Sequence, residues 1–96
     1  MEKKAIFLGV TKIHSNKKNA DYRKVDFYVP PYKTAQGYDR GGVVSTFTAT
    51  DSTLGNDIKV GAIVVPVYDY DPCSERAELV NIRQVKGSPY SAADFE

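Results

Sequence analysis

The composition describes one small globular domain without a membrane span. The chain has 96 residues, of which 42% are hydrophobic and 26% charged, and this length leaves no room for a second domain with its own core. No apolar run approaches the roughly 18 residues that a membrane-spanning helix needs. The single cysteine excludes an intramolecular disulfide, and one cysteine with one histidine does not make a zinc site.

Charge is divided unevenly along the chain. The formal net charge is only +1. Residues 1–40, however, contain nine Lys and Arg against four Asp and Glu, a net charge of +5, whereas residues 41–96 contain four against eight, a net charge of −4. This asymmetry predicts a surface whose positive side lies on the first part of the chain, where a polyanion would bind.

A long hairpin over residues 4–32 dominates the first third of the chain. Its first arm alternates with a period of two, which is typical of a strand with one buried and one wet face. Ile6, Leu8 and Val10 define the expected buried face. Phe7 is then expected to point outward, where a large exposed aromatic side chain asks for a functional reason.

The second arm of this hairpin combines aromatic and basic side chains on its expected outer face. Val25, Phe27 and Val29 share the buried face. The opposite face and the preceding turn supply tyrosines and lysines, namely Tyr22, Lys24, Tyr28, Lys17 and Lys18. Flat π-surfaces beside positive charges suit the bases and phosphates of single-stranded nucleic acid. Pro30-Pro31 is expected to end the strand.

The rest of the chain predicts a loop and three further strands. Residues 32–42 (YKTAQGYDRGG) contain three glycines and no helical periodicity, so we expect a long, polar and flexible loop there. Residues 51–62 have room for one short turn at most. β-branched and aromatic residues predict strands at 43–50, 62–70 and 77–86.

Five strands and no convincing helix predict an all-β fold. Closure into a five-stranded, OB-like small barrel with a long hairpin wing would protect the edges that an open sheet exposes. We expect this single domain to span residues 1–87. Residues 88–96 form a short acidic tail that we expect to be disordered.

The sequence offers little support for catalysis. His14 is the only histidine and lies in a lysine-rich turn, which is more typical of a surface residue than of a general base. Cys73 lies among acidic residues, which disfavour a reactive thiolate. Neither an EF-hand spacing nor a phosphate-binding glycine loop is present. We therefore predict a protein that is not an enzyme and that takes no cofactor, no metal and no small-molecule substrate.

Nucleic-acid binding is the chemistry that these residue types favour most. Stacking of a base on an aromatic ring is worth roughly 1–3 kcal/mol and tolerates any sequence. The candidate stacking residues are Tyr22, Tyr28, Tyr32 and Tyr38, with Phe7 or Phe47 if their faces point outward. The candidate phosphate contacts are Lys17, Lys18, Arg23, Lys24, Lys33 and Arg40. Cross-strand packing within the sheet is the alternative explanation for the aromatic residues.

Four segments carry a resemblance in layout: FLGVTKIHSNKKNADYRKVDFYV, YKTAQGYDRGG, VGAIVVPVYDYD and AELVNIRQV. Over residues 4–86 the chain resembles the single-stranded DNA-binding proteins of filamentous phages, the gene V type, and their relatives on mobile elements. The resemblance implies an OB-fold homodimer that coats single strands during replication or transfer, in the cytoplasm of a bacterial host cell. RNA is the alternative ligand. The near-neutral charge departs from the more basic protein that this family leads us to expect.

A second hypothesis involves no nucleic acid. Tyrosine is also enriched at protein interfaces, so the chain is alternatively a non-catalytic β-barrel subunit of a phage or plasmid assembly. Salt dependence distinguishes the two hypotheses, because binding to a polyanion weakens steeply with ionic strength as counterions are released.

Overall fold

The computed structural model describes residues 3–89 and 91. Its five strands are β1 (Ala5–Ser15), β2 (Ala20–Lys33), β3 (Asp39–Thr48), β4 (Ile63–Asp71) and β5 (Arg76–Lys86). They form one antiparallel sheet in the order β3-β2-β1-β4-β5. The described residues contain no helix, and hence none long and apolar enough to cross a membrane. The predicted all-β class is confirmed.

The sheet is curled but not closed into a barrel. β3 pairs with β2 and β5 pairs with β4, so these two strands form the edges. Two strands separate β3 from β4 in the sheet, yet the Thr46 hydroxyl of β3 lies 2.9 Å from the Tyr68 hydroxyl of β4. This contact brings the two halves of the sheet together at an exposed position. The predicted barrel closure is not observed among the described strands.

A β-bulge in β1 interrupts the expected alternation, so that Phe7 and Leu8 lie on other faces than predicted while Ile6 and Val10 are at least partly buried as expected. The pairing of β1 with β2 shifts register between Phe7 and Gly9 and leaves out Leu8. An extra residue moves the alternation of side chains by one position, so Phe7 and Val10 share the core face. Phe7 is 1% exposed, whereas Leu8 is 37% exposed. The expectation that Phe7 points outward is wrong, because strict alternation does not continue through a bulge.

The core lies on one face of the curled sheet. Phe7 and Phe27 meet edge to face at its centre, with ring centroids 6.2 Å apart. The buried cluster consists of Ala5, Phe7, Val25, Phe27, Ala62, Val64, Leu79 and Ile82, with Val10, Val29, Leu54 and Ile58 packed against it. Burying one large aliphatic or aromatic side chain stabilises the fold by about 1.5–3 kcal/mol. Through Leu54 and Ile58, the connection between β3 and β4 covers one side of this core.

The β2–β3 connection is a tight hairpin, not the predicted long loop. β2 runs through Pro30-Pro31 and β3 begins at Asp39, so only residues 34–38 form a turn. The register shifts at the two prolines, where two residues of β2 face Gly41 alone. Proline has no N–H to donate, and a bulge is one of the few places where a strand tolerates it. The expectations of a strand end at Pro30 and of a flexible loop over 32–42 are therefore wrong.

Gly41 fits this bulge because the two backbones come very close together. Its φ is +143°, and a Cβ atom would lie 2.9 Å from Pro31 Cα. Backbone atoms cannot rotate away, so we expect Gly41→Ala to lower the free energy of unfolding by about 1–3 kcal/mol, measured by urea denaturation. Gly42→Ala is the matched control, since Gly42 also has a positive φ but a Cβ atom there would meet no other atom within 4 Å. An equal loss in both variants would contradict the role of the close contact.

The turn between β4 and β5 begins where the sequence predicts. The Cys73 backbone N–H donates to Asp71 Oδ1 at 3.0 Å, which is the local hydrogen bond by which an aspartate starts a turn. This bond from Cys73, aided by the Ser74 hydroxyl, holds the pKa of Asp71 below its ordinary value. β5 ends at Lys86, close to the predicted end of the domain. The predicted disorder of the tail concerns residues that lie mostly outside the described ones.

Candidate nucleic-acid interface

The face of β2 and β3 that points away from the core carries a continuous aromatic and polar surface. Side chains opposite each other in an antiparallel pair lie on the same face, so the register of the two strands defines this surface. It consists of three cross-strand pairs and one further tyrosine, namely Tyr28–Val43, Asp26–Ser45, Lys24–Phe47 and Tyr22. We call it the outer face.

An aromatic pair stands at one end of the outer face. The rings of Tyr22 and Phe47 meet edge to face, with centroids 6.1 Å apart and an interplanar angle of 67°. Phe47 is nevertheless 65% exposed. Packing against Tyr22 orients the Phe47 ring and leaves most of its surface open to a ligand. A flat base can stack on such a ring whatever its sequence context.

The middle of the outer face is polar and electrically balanced. Lys24 Nζ lies 3.8 Å from Asp26 Oδ2, and both side chains are partly buried. The Ser45 hydroxyl donates to Asp26 Oδ1 at 2.5 Å. Lys24 lies opposite Phe47 in the sheet, and a carboxylate compensates part of its charge. Tyr28 is half-buried further along β2.

Positive charge is concentrated at the β1–β2 turn, which precedes the Tyr22 end of β2. Lys17 and Lys18 are exposed in this turn, and the Lys18 backbone N–H donates to the Ser15 hydroxyl at 3.3 Å. At the base of the turn, His14 Nδ1 lies 2.6 Å from Asp21 Oδ1. The structure shows that the two lysines are exposed, and their contact with phosphates stays a prediction.

The remaining predicted residues gather at the other end of the hairpin, around the β2–β3 turn. Tyr32 lies opposite Arg40 in the sheet, beyond the proline bulge, so its side chain falls on the face opposite to that of Tyr28. Lys3 Nζ lies 4.1 Å from the Tyr32 ring centroid, and the Arg40 guanidinium lies 5.7 Å from the ring centroid of Tyr38. These are cation–π distances.

Lys33, the last predicted cation near the β2–β3 turn, forms a salt bridge. Lys33 Nζ lies 3.0 Å from Asp39 Oδ1, and both side chains are largely exposed. An exposed pair of this kind contributes at most about 1 kcal/mol and exchanges readily with another anion. The predicted residues thus form two groups, one at the outer face and one at the β2–β3 turn. Lys3 belongs to the second group and was missed, since its cation–π contact depends on the tertiary pairing.

Two predicted ligand-binding residues are buried and do not reach a ligand at the surface. Phe7 belongs to the core, and Arg23 is 1% exposed. Arg23 donates from Nη1 to the Thr48 hydroxyl at 2.9 Å, from Nη2 to Asn56 Oδ1 at 2.9 Å, and from Nη2 to the Leu54 carbonyl. The alternation of β2 contained the signal, because Arg23 is in step with Val25 and out of step with Tyr22. Its prediction as a surface phosphate contact is wrong.

The described residues offer no competing site for a metal ion. No group of three or more His, Cys, Asp and Glu side chains converges within them, and Cys73 is exposed in its turn. Comparisons with protein-family models, with curated proteins and with solved structures find no match to this chain.

Proposed function

We propose that the chain binds single-stranded DNA without sequence preference, through the outer face and the basic β1–β2 turn. The observation that carries this proposal is the Tyr22–Phe47 pair, an oriented but exposed aromatic platform beside two exposed lysines. Stacking and phosphate neutralisation are the two interactions by which proteins hold single strands of any sequence. The protein acts as a binding protein without cofactor, and RNA is the alternative ligand.

The strand order supports this choice of surface. The order β3-β2-β1-β4-β5 is that of a five-stranded OB barrel opened between β3 and β5. In OB barrels the face of the second and third strands, with the flanking loops, binds oligonucleotides. The outer face and the β1–β2 turn occupy the corresponding positions here. We place the protein in the cytoplasm of a bacterial host cell, where it coats DNA during replication or transfer of a phage or mobile element.

A homodimer is part of the proposal. No described strand pairs with the outer edges of β3 and β5, and unpaired edges are where a second copy can add a strand. Val43 on edge strand β3 is 67% exposed, which provides apolar surface for such a contact. Sedimentation equilibrium at micromolar concentration tests this part independently of DNA.

Fluorescence anisotropy with a labelled oligo-dT tests the proposed function. We expect binding that weakens steeply between about 50 and 200 mM salt, because each phosphate contact releases a counterion. Duplex DNA of equal length should bind poorly, since its bases cannot stack on the protein. Absence of binding at low salt would overturn the proposal.

The second candidate function is a non-catalytic subunit of a phage or plasmid assembly. The observation that favours it is the compensation of Lys24 by Asp26, which leaves the middle of the outer face with little net charge beside the exposed Val43 and Phe47. Such a face also suits a protein partner. In that case the oligonucleotide would not bind, and the outer face would be the surface to test against candidate assembly partners.

Reversing the charge of the β1–β2 turn should change the salt dependence of DNA binding. We expect Lys17→Glu combined with Lys18→Glu to weaken binding and to reduce the slope of log K against log salt by about 1.4, which is two phosphate contacts at about 0.7 each. Lys59→Glu is the control, because Lys59 is exposed but lies in the β3–β4 connection. A slope equal to that of the parent would show that this turn does not contact phosphate.

A further inference from the structure

A buried cation without a carboxylate partner lies on the core-side face of β2, next in sequence to Tyr22 of the outer face. Arg23 is 1% exposed, and it forms no ion pair with any Asp or Glu of the described residues. Its hydrogen bonds go to neutral oxygens, and its Nε–H has no partner. Burying a charge is costly unless an opposite charge or a full set of hydrogen bonds compensates for it. The Arg23 guanidinium thus retains uncompensated positive charge, and its Nε atom has no hydrogen-bond partner.

Arg23 is one of the residues that line a cavity of about 320 Å³. Arg23, Lys12 and Thr50 line it, together with Ile13, Tyr22 and the His14–Asp21 pair. Lys12 lies directly opposite Arg23 in the register of β1 and β2, so two cations face one cavity. Asp21 is the only carboxylate among these lining residues, and it lies 2.6 Å from His14 Nδ1. The lining therefore favours an anion.

The position of the cavity links it to the outer face. Tyr22 lines the cavity and also contacts the exposed ring of Phe47. We expect a strand whose base stacks on this aromatic pair to continue past Tyr22 toward the cavity. The Lys12 ammonium and the Thr50 hydroxyl are donors of the kind that hold phosphate oxygens.

We propose that this cavity binds one phosphate group of the single strand. Lys12 and Thr50 contact the phosphate oxygens, and Arg23 supplies the buried positive charge beside them. This inference rests on the proposed function, since it assigns a phosphate subsite to the same ligand. It differs from the lysines of the β1–β2 turn, because it fixes one phosphate relative to the stacked base.

Two substitutions that leave the core untouched test the subsite. We expect Lys12→Ala to weaken oligo-dT binding roughly tenfold and Thr50→Val roughly fivefold, as for the loss of one charged and one neutral hydrogen bond. Lys59→Ala and Thr53→Val are the matched controls, since both residues are exposed and do not line the cavity. Parent-like binding by both cavity variants would overturn the inference and leave the proposed function standing. Absence of binding by the parent chain would instead overturn the proposed function.

The Arg23 Nε–H resonance provides a readout at the site itself. In ¹H–¹⁵N spectra we expect this resonance to shift saturably with oligo-dT, and to shift less in Lys12→Ala. Titration with inorganic phosphate at constant ionic strength distinguishes a phosphate group of the strand from free phosphate as the ligand of the cavity. A shift with inorganic phosphate but none with oligo-dT would assign the cavity to free phosphate and overturn the strand as its ligand. No shift with either probe would overturn the subsite altogether.

Discussion

Arg23→Met is expected to lower the free energy of unfolding by about 3–5 kcal/mol, the largest loss of stability that we expect from a single substitution. Methionine fills a similar volume and restores apolar contact with the core, so the loss comes from the partners. The Thr48 hydroxyl, the Leu54 carbonyl and the Asn56 side chain each lose a donor from Arg23. A polar group left unpaired in the interior costs about 1–3 kcal/mol, and only Asn56 is exposed enough to regain water readily.

In Arg23→Met, the β3–β4 connection should also open locally more often than the whole domain unfolds. Arg23 joins β2 to the β3–β4 connection, which is otherwise held by short turns such as the Asn56 N–H to Thr53 carbonyl bond at 3.1 Å, by packing of Leu54 and Ile58 on the core, and by the Gly61 N–H bond to the Phe7 carbonyl. Amide hydrogen exchange in residues 49–62 should therefore accelerate in Arg23→Met more than exchange in the paired strands.

Urea denaturation followed by circular dichroism measures the global effect. Arg40→Met is the matched control, because Arg40 is exposed, and its free energy of unfolding should change by less than about 0.5 kcal/mol. A similarly small change in Arg23→Met would mean that the buried guanidinium does not hold the connection in place.

The number of strands could be predicted from the sequence, whereas the faces of β1 could not be predicted by alternation alone. Val25 and Phe27 alternate regularly and are buried as expected. In β1, the bulge after Phe7 brings Val10 to the core face. A hint was present in Gly9, since a glycine inside a strand often marks a bulge. Its φ of +131° is a conformation that few other residues adopt.

The hairpin between β2 and β3 could not be predicted from the sequence, because its prolines and glycines occur both in loops and in β-bulges. Pro30-Pro31 is typical of a strand end, and glycines after it are typical of a loop. Here the prolines occupy a bulge that Gly41 accommodates by close backbone contact. Only pairing with β3 distinguishes a bulge from a strand end at these prolines, and this pairing cannot be predicted from the local sequence.

The outer face could likewise be predicted only in part, because its composition depends on the register between β2 and β3. The alternation of β2 predicts that Tyr22 and Tyr28 lie on the wet side, and the structure places them there. The side on which Phe47 lies depends on the register of β3 with β2, which the sequence leaves open. Pairing with Lys24 puts Phe47 on the outer face and next to Tyr22. The aromatic platform is thus a product of strand register.

Removing the ring of Phe47 should have the largest effect on DNA binding. We expect Phe47→Ala to weaken oligo-dT binding by about 1–3 kcal/mol, or roughly 5- to 150-fold, because one stacked base loses its platform. Phe47 is 65% exposed, so its truncation should leave the fold intact. Tyr70→Ala is the matched control, since Tyr70 is exposed to a similar degree, at 61%, in the acidic β4–β5 hairpin.

The slope of log K against log salt separates stacking from charge. Phe47→Ala should leave this slope unchanged, because the ring neutralises no phosphate, whereas reversal of Lys17 and Lys18 should reduce it. Phe47→Leu keeps much of the apolar area but not the π-face, so it should bind almost as weakly as Phe47→Ala if bases stack there.

The contact between the two rings adds an internal check on the platform. Because Tyr22 orients Phe47, the effects of Tyr22→Ala and Phe47→Ala should be non-additive, and the double variant should lose less affinity than the two single losses predict. Full additivity would indicate two separate stacking positions on β2 and β3. Parent-like binding by Phe47→Ala would move the base-binding surface away from the outer face, leaving Tyr32 and Tyr38 at the β2–β3 turn as the aromatic residues to test.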